Sequence, residues 1–227
     1  MVYLTGDTHI PVDIDKLSTK NFIEGDNLTR EDYIIVLGDF GLLWHNDKTY
    51  KYWLNILSNK KYTILWLDGN HENHSWINSL SISEWHGGKV HYISDNIIHL
   101  MCGQVFNIDN KKFFVCGGAS SVDKYHRIEG ISWWPEEDIN CSQIMEAEKN
   151  LNINNWQVDY ILTHTCPKFL VNNMFKVEYI KDPTSEFLED IYTDIEFKKW
   201  YFGHWHIDKE YGKFYSLYNN IIKLDIN

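Results

Sequence analysis

Six short apolar runs punctuate this chain, and each stops at a polar, mostly glycine-bearing turn. Val2 to Leu4 leads into Gly6-Asp7, Tyr33 to Leu37 into Gly38-Asp39, and Tyr62 to Leu67 into Gly69-Asn70-His71. Phe113 to Cys116 leads into Gly117-Gly118, Val158 to Leu162 into Thr163-His164, and Trp200 to Phe202 into Gly203-His204. Continuous runs of this length, rich in β-branched and aromatic residues, read as strands buried on both faces. Helical patterns fall between them. Tyr50, Trp53, Leu54 and Leu57 recur at i, i+3, i+4 and i+7 behind Asp47, a helix N-cap by type and place. Ser142 to Leu151 reads as a second helix. A third, marked by Phe187, Leu188, Ile191, Tyr192 and Ile195, opens at Thr184 after Pro183. At the end of the chain, Glu210 to Tyr218 and Ile221 to Ile226 read as strands joined by an Asn219-Asn220 hairpin turn. Strands alternating with helices define an α/β fold. Ligands of such folds collect at the carboxyl ends of the strands, which is where the polar residues of this sequence fall.

Length and charge narrow the function. A chain of 227 residues suits one domain, spanning 1–227. With 44% hydrophobic and 15% aromatic residues it can build a large core. The formal net charge of −11, without a polybasic run, argues against non-specific binding to duplex DNA. It does not exclude a phosphate substrate, because bound cations can dominate a site locally. Cys102, Cys116, Cys141 and Cys166 are irregularly spaced and form no CxxC pair, so they read as free thiols of a reducing compartment. The first residues lack a basic segment followed by an apolar one, and no apolar run approaches a membrane span. The expected location is the cytoplasm, with no membrane partner. Oligomeric state is not legible.

The candidate ligands follow the strands: Asp7 and His9, then Asp39, then Asn70 and His71, then His164, then His204 and His206. A single structural histidine is ordinary. Carboxylate, amide and imidazole groups gathered at one sheet edge are costly without a cation to neutralise them. Mixed ligation of this kind suits Mn, Fe, Zn or Ni more than Ca or Mg.

The blocks Asp7-Thr8-His9, Gly38-Asp39, Gly69-Asn70-His71-Glu72, His164 and Gly203-His204-Trp205-His206 together resemble the calcineurin-like metallophosphoesterase superfamily. The segment from Gly117-Gly118-Ala119 to Ser132-Trp133-Trp134-Pro135-Glu136-Glu137 is similar to small bacterial and phage-encoded members. The resemblance implies a two-sheet β-sandwich flanked by helices, with the C-terminal hairpin in the second sheet. It implies two divalent ions, with Mn favoured. Asp7, His9 and His206 would hold the first, Asn70, His164 and His204 the second, and Asp39 would bridge them. His71 would stay free of metal and face the phosphate and leaving group. Two ions about 3.5–4 Å apart can activate a shared water as hydroxide and clamp phosphate oxygens, while His71 assists the leaving oxygen.

Departures from the pattern bear on the substrate. Protein phosphatases of the superfamily extend the second block with Asp and Arg, whereas Asp39 is followed here by Phe40-Gly41-Leu42-Leu43-Trp44. Asp68 stands before Gly69, and the arginines that grip a terminal phosphate in bidentate fashion are missing. Phosphodiester or nucleotide substrates are therefore expected ahead of phosphomonoesters or phosphoproteins. Glu72 is the nearest acidic candidate to orient His71. Lys124, His126 and Arg127 form one compact basic cluster, either a loop that contacts substrate phosphate or base, as Asn70 also could, or ordinary solvated charges. Trp133-Trp134 could stack on a nucleobase, although paired tryptophans before a helix more often pack. His45 and His74 flank the blocks. Cys166 and Pro167 shape the loop after His164. A non-catalytic metal-binding scaffold for protein partners is the rival of another class. Such a scaffold would be expected to have lost ligands or His71, and all are present.

Overall fold

The structure is a computed structural model that describes residues 1–175 and 181–225. The six runs are all strands. They form β1 (Val2–Thr5), β2 (Tyr33–Val36), β3 (Thr63–Trp66), β8 (Lys111–Cys116), β9 (Tyr160–Thr163) and β10 (Lys199–Phe202). The stretch between β3 and β8 holds four more: β4 (Ile82–Trp85), β5 (Gly88–Ser94), β6 (Ile97–Leu100) and β7 (Gln104–Ile108). The chain finishes with β11 (Lys209–Tyr211), β12 (Phe214–Ser216) and β13 (Ile222–Lys223). One sheet runs β13-β1-β2-β3-β6-β5-β4 and the other β11-β12-β10-β9-β8-β7.

Side-chain alternation along each strand builds three apolar layers. Tyr33, Ile35 and Leu37 point between the sheets, against Phe113, Val115 and Leu162. Ile34 and Val36 point outward, onto Leu57 and Trp66. Phe114, Ile161 and Trp200 face outward from the second sheet, against Ala147, Leu151, Leu188 and Ile191. Both faces of both central sheets are thus dry, which explains why these strands read as continuous apolar runs. Helix α1 (Lys48–Ser58) lies over the first sheet; its N-cap is Asp47, whose carboxylate accepts from the amides of Thr49 and Tyr50. A short α2 (His74–Asn78) follows β3. Helix α3 (Cys141–Ile153) and α5 (Pro183–Tyr192) cover the second sheet, and α4 (Lys168–Leu170) is a single turn. The result is the helix-flanked two-sheet sandwich expected for a metallophosphoesterase fold. No helix among the described residues is long and apolar enough to cross a membrane.

Three boundaries differ from the sequence expectation. Helix α3 starts earlier, because Asn140 and Gln143 close a reciprocal capping box around its first turn. Helix α5 is capped by Asp182 rather than opened by Thr184, with Pro183 in the first helical position, where it has no amide to leave unpaired. Its last residue is Tyr192, although Ile195 still packs in the outer layer. The C-terminal hairpin is the larger correction. Its turn is at Gly212, where φ is +62°, and it joins β11 to β12. Asn219-Asn220 instead carries the chain across to the other sheet, where β13 pairs with β1. Asp208 holds that crossing: its carboxylate accepts from the amides of Tyr218 (2.8 Å), Asn219 (3.1 Å) and Asn220 (3.3 Å). The expected strand runs on to Ile226, which lies outside the described residues.

Candidate metal centre

The parallel strands β1, β2 and β3 end side by side, and so do β9 and β10 in the facing sheet. The loops beyond them bring Asp7, Asp39 and Asn70 from one sheet to His164 and His204 from the other. Local backbone geometry does the aiming. Asp7, His9, Asp39, His204 and His206 all have positive φ, between 24° and 67°. This is a sparsely populated region for residues with a Cβ, and such strain is held where surrounding structure over-determines it. Gly69 lets the loops close, since a Cβ there would collide with the Asp39 carboxylate.

Candidate ligand atoms of Asp7, His9, Asp39 and His206 all lie within 4.8 Å of one another. His9 Nε2 is 3.1 Å from Asp39 Oδ2, and His206 Nε2 is 3.7 Å from Asp7 Oδ1. On the other side, His164 Nε2 is 3.4 Å from Asp39 Oδ1. Asn70 Oδ1 meets His164 Nε2 at 3.0 Å and His204 Nδ1 at 2.9 Å. The two oxygens of Asp39 therefore face different histidines.

Neighbouring groups fix which atoms face inward. His164 Nδ1 donates to the Leu37 carbonyl at 2.7 Å, leaving Nε2 for the site. His9 Nδ1 meets Asp13 Oδ2 at 2.8 Å, leaving its Nε2 likewise. Carboxylate and carbonyl partners of this kind set the tautomer and basicity of metal-binding imidazoles. Lys16 donates to the carbonyls of Gly6 and Asp7, both at 2.9 Å, and to that of Tyr218. It thereby clamps the loop of Asp7 to the segment whose Tyr218 ring stacks on His206. Asp13 and Lys16 lie outside every motif, and only the fold brings them in.

The electrostatics are those of a site built for cations. Burial pushes the Asp7 carboxyl up to about 7, and Asp39 adds to the effect. Burial would raise Asp39 too, but the adjoining imidazoles of His164 and His9 hold it well below the usual carboxylate range. His164 is fully buried, which opposes its charge, yet Asp39 and Asp7 raise it to about 9. Burial and the nearby His164 lower His204 to about 3, which leaves it a neutral donor. Two buried carboxylates, four imidazoles and an amide oxygen converge, and protons are drawn onto His164 and Asp7 where cations could take their place. This donor set fits divalent Mn, Fe, Zn or Ni.

His71 sits at the rim. Its amide donates to Asp39 Oδ1 at 2.7 Å, and its ring lies 5.5 Å from that of His9. Glu72 does not orient it. The Glu72 side chain turns into the core, where Oε1 accepts from the Phe40 amide at 2.7 Å. Burial, reinforced by Asp39, pushes its pKa well above the usual carboxylate range. The neighbour of His71 is Arg127, whose Nη2 is 2.7 Å from His71 Nε2. Burial lowers the His71 pKa; Asp39 opposes this and Arg127 adds to it. Asp123 grips Arg127 in bidentate fashion, Nε to Oδ1 at 2.8 Å and Nη2 to Oδ2 at 2.9 Å, and the Ser132 carbonyl accepts from Nη1 at 3.2 Å.

The basic cluster thus divides. Arg127 reaches the site, Lys124 lies over the Trp133 ring at 5.9 Å, and His126 is exposed. Trp134 is buried edge-on against Trp44, which is packing. His45 is exposed, His74 is buried near Asp68, and Cys166 is core.

Fold and site together describe a metal-dependent phosphoesterase. The family model for calcineurin-like phosphoesterases matches residues 1–208, and the chain belongs to that family. No curated protein matches it.

Proposed function

We propose that the protein hydrolyses phosphate esters, preferring phosphodiesters or nucleotides, with two divalent cations, Mn favoured. The observation that carries this reading is Asp39, whose carboxylate oxygens face His9 at 3.1 Å and His164 at 3.4 Å. One carboxylate with a full negative charge can serve two cations at once. Asp7, His9 and His206 would hold one ion, and Asn70, His164 and His204 the other. Bound there, the ions would supply an activated water and neutralise phosphate charge. His71 would face the departing oxygen and stabilise or protonate it.

The substrate preference rests on how little positive charge the protein itself adds. The chain has two arginines. Arg30 is spent on the carbonyls of Tyr62 and Ser58. Arg127, already held by Asp123, is the one beside His71. A single guanidinium balances the one charge of a diester better than the two of a terminal phosphate. The test compares bis-nitrophenyl phosphate with nitrophenyl phosphate on Mn-loaded enzyme. The diester should be cleaved faster, and Arg127→Ala should lower kcat/KM for it by about 10- to 100-fold, the cost of a charge-assisted hydrogen bond. Faster monoester cleavage would replace this reading with a phosphomonoesterase.

A further inference from the structure

Asn70 poses a problem of direction. An amide presents either an oxygen, which can bind a cation, or an NH2 group, which cannot. The structure turns its oxygen to His164 and His204 and its Nδ2 to Ser121 Oγ at 3.1 Å. Ser121 in turn meets Glu137 twice: its amide donates to Oε1 at 2.8 Å and its hydroxyl to Oε2 at 2.6 Å. All three side chains are buried, Glu137 completely.

The polarity of this chain starts from a group that cannot reverse. The Ser121 backbone N–H can only donate, so it occupies one Glu137 oxygen. The second oxygen takes the Ser121 hydroxyl proton. With its proton committed, Ser121 Oγ can only accept, and the Asn70 NH2 is the donor it meets. That leaves Asn70 Oδ1 facing the histidines. Ordinary packing of the loop after β8 would not require Ser121 to be an acceptor. Ser121 is 51 residues from Asn70 and Glu137 a further 16, so only the fold joins the three.

We infer that Glu137 and Ser121 form a positioning relay that locks the Asn70 amide with its oxygen toward the second cation. The inference rests on the reading of Asn70 as a ligand. Partners behind a ligand typically change metal affinity by about 10- to 100-fold. The relay should therefore govern one ion and spare the other, whose ligands Asp7, His9 and His206 it does not touch.

The test is calorimetric titration of chelator-stripped protein with Mn2+ alone, with no substrate. Wild type should take up two equivalents. Ser121→Ala should weaken one of them by about 10- to 100-fold and leave the other unchanged. Glu137→Gln is close to isosteric and has one acceptor oxygen in place of two, so it should weaken the same ion. It also guards against a Ser121→Ala protein that folds poorly. The decisive arm is the Asn70→Asp background. A carboxylate presents an oxygen whichever way it turns, so Ser121→Ala should there cost no affinity. A loss that persists with Asp at position 70, or no loss in either single variant, would overturn the relay. Wild-type protein that takes up no Mn2+ would overturn the metal reading itself, and the relay with it.

Discussion

Each residue of the centre does its work through a small number of atoms, and the sequence exposes some of those atoms and hides others. The candidate ligand positions were legible because each sits one to four residues past a strand, where chain order maps onto space. Their partners were not. Asp13 beneath His9, Leu37 beneath His164 and Arg127 beside His71 join residues that only the folded sandwich brings together. Glu72 shows the limit clearly: it adjoins His71 in sequence, but its carboxylate belongs to the amide of Phe40. His71 itself contacts the site through its backbone and rim position, and no inward ligand depends on its ring. Replacing it with Ala should reduce diester turnover by about 10²- to 10⁴-fold, as loss of a general acid does. Metal analysis of the same variant should give unchanged Mn content. Loss of metal along with turnover would make His71 a ligand instead.

At the scale of elements, the six buried strands could be read directly, because burial on both faces leaves continuous apolar runs. The strands β4 to β7 could not. Along β4 the exposure alternates, β5 carries an irregularity between Tyr92 and Ser94, and β6 includes a buried histidine. The turns beyond the strands also depend on distant carboxylates that no local signal reveals. Glu72→Ala would strand the buried Phe40 amide at the end of β2, at a cost of about 1–3 kcal/mol. In a chain of this size a thermal melt should shift down by roughly 5 °C. Asp208→Ala frees three amides at the crossing into β13 and should cost about 1 kcal/mol, since that segment is partly open to water. Native-state hydrogen exchange should report faster exchange at Tyr218 to Asn220 in this variant, with the core strands unchanged.

For the whole molecule, a net charge of −11 and a sequence pI near 5.4 coexist with a substrate expected to be anionic. The centre resolves this by confining its own negative charge to buried carboxylates that cations would neutralise. The pH dependence follows from the same groups. The folded pKa of His164 is raised to about 9 against 6.5 unfolded, so its contribution is full below pH 6.5 and is lost as pH rises through 9. Asp7, raised to about 7, loses its contribution over a lower window, between about pH 4 and 7. His204, lowered to about 3, acts in the opposite direction, but only below about pH 6.5. Between pH 7 and 9, then, chelator-stripped protein should lose thermal stability. Added Mn2+ should stabilise it more at pH 9 than at pH 7, because cations and protons compete for the same atoms. Equal stabilisation at both values would contradict the ionisation scheme.

The central claim is that two cations shared by Asp39 drive ester cleavage. Its most direct test is the rate of bis-nitrophenyl phosphate hydrolysis by chelator-stripped protein as Mn2+ is returned stepwise. No activity is expected without metal, the rate should saturate at two equivalents, and Asp39→Asn should show none of it. Hydrolysis that survives the chelator, or that persists in Asp39→Asn, would contradict it.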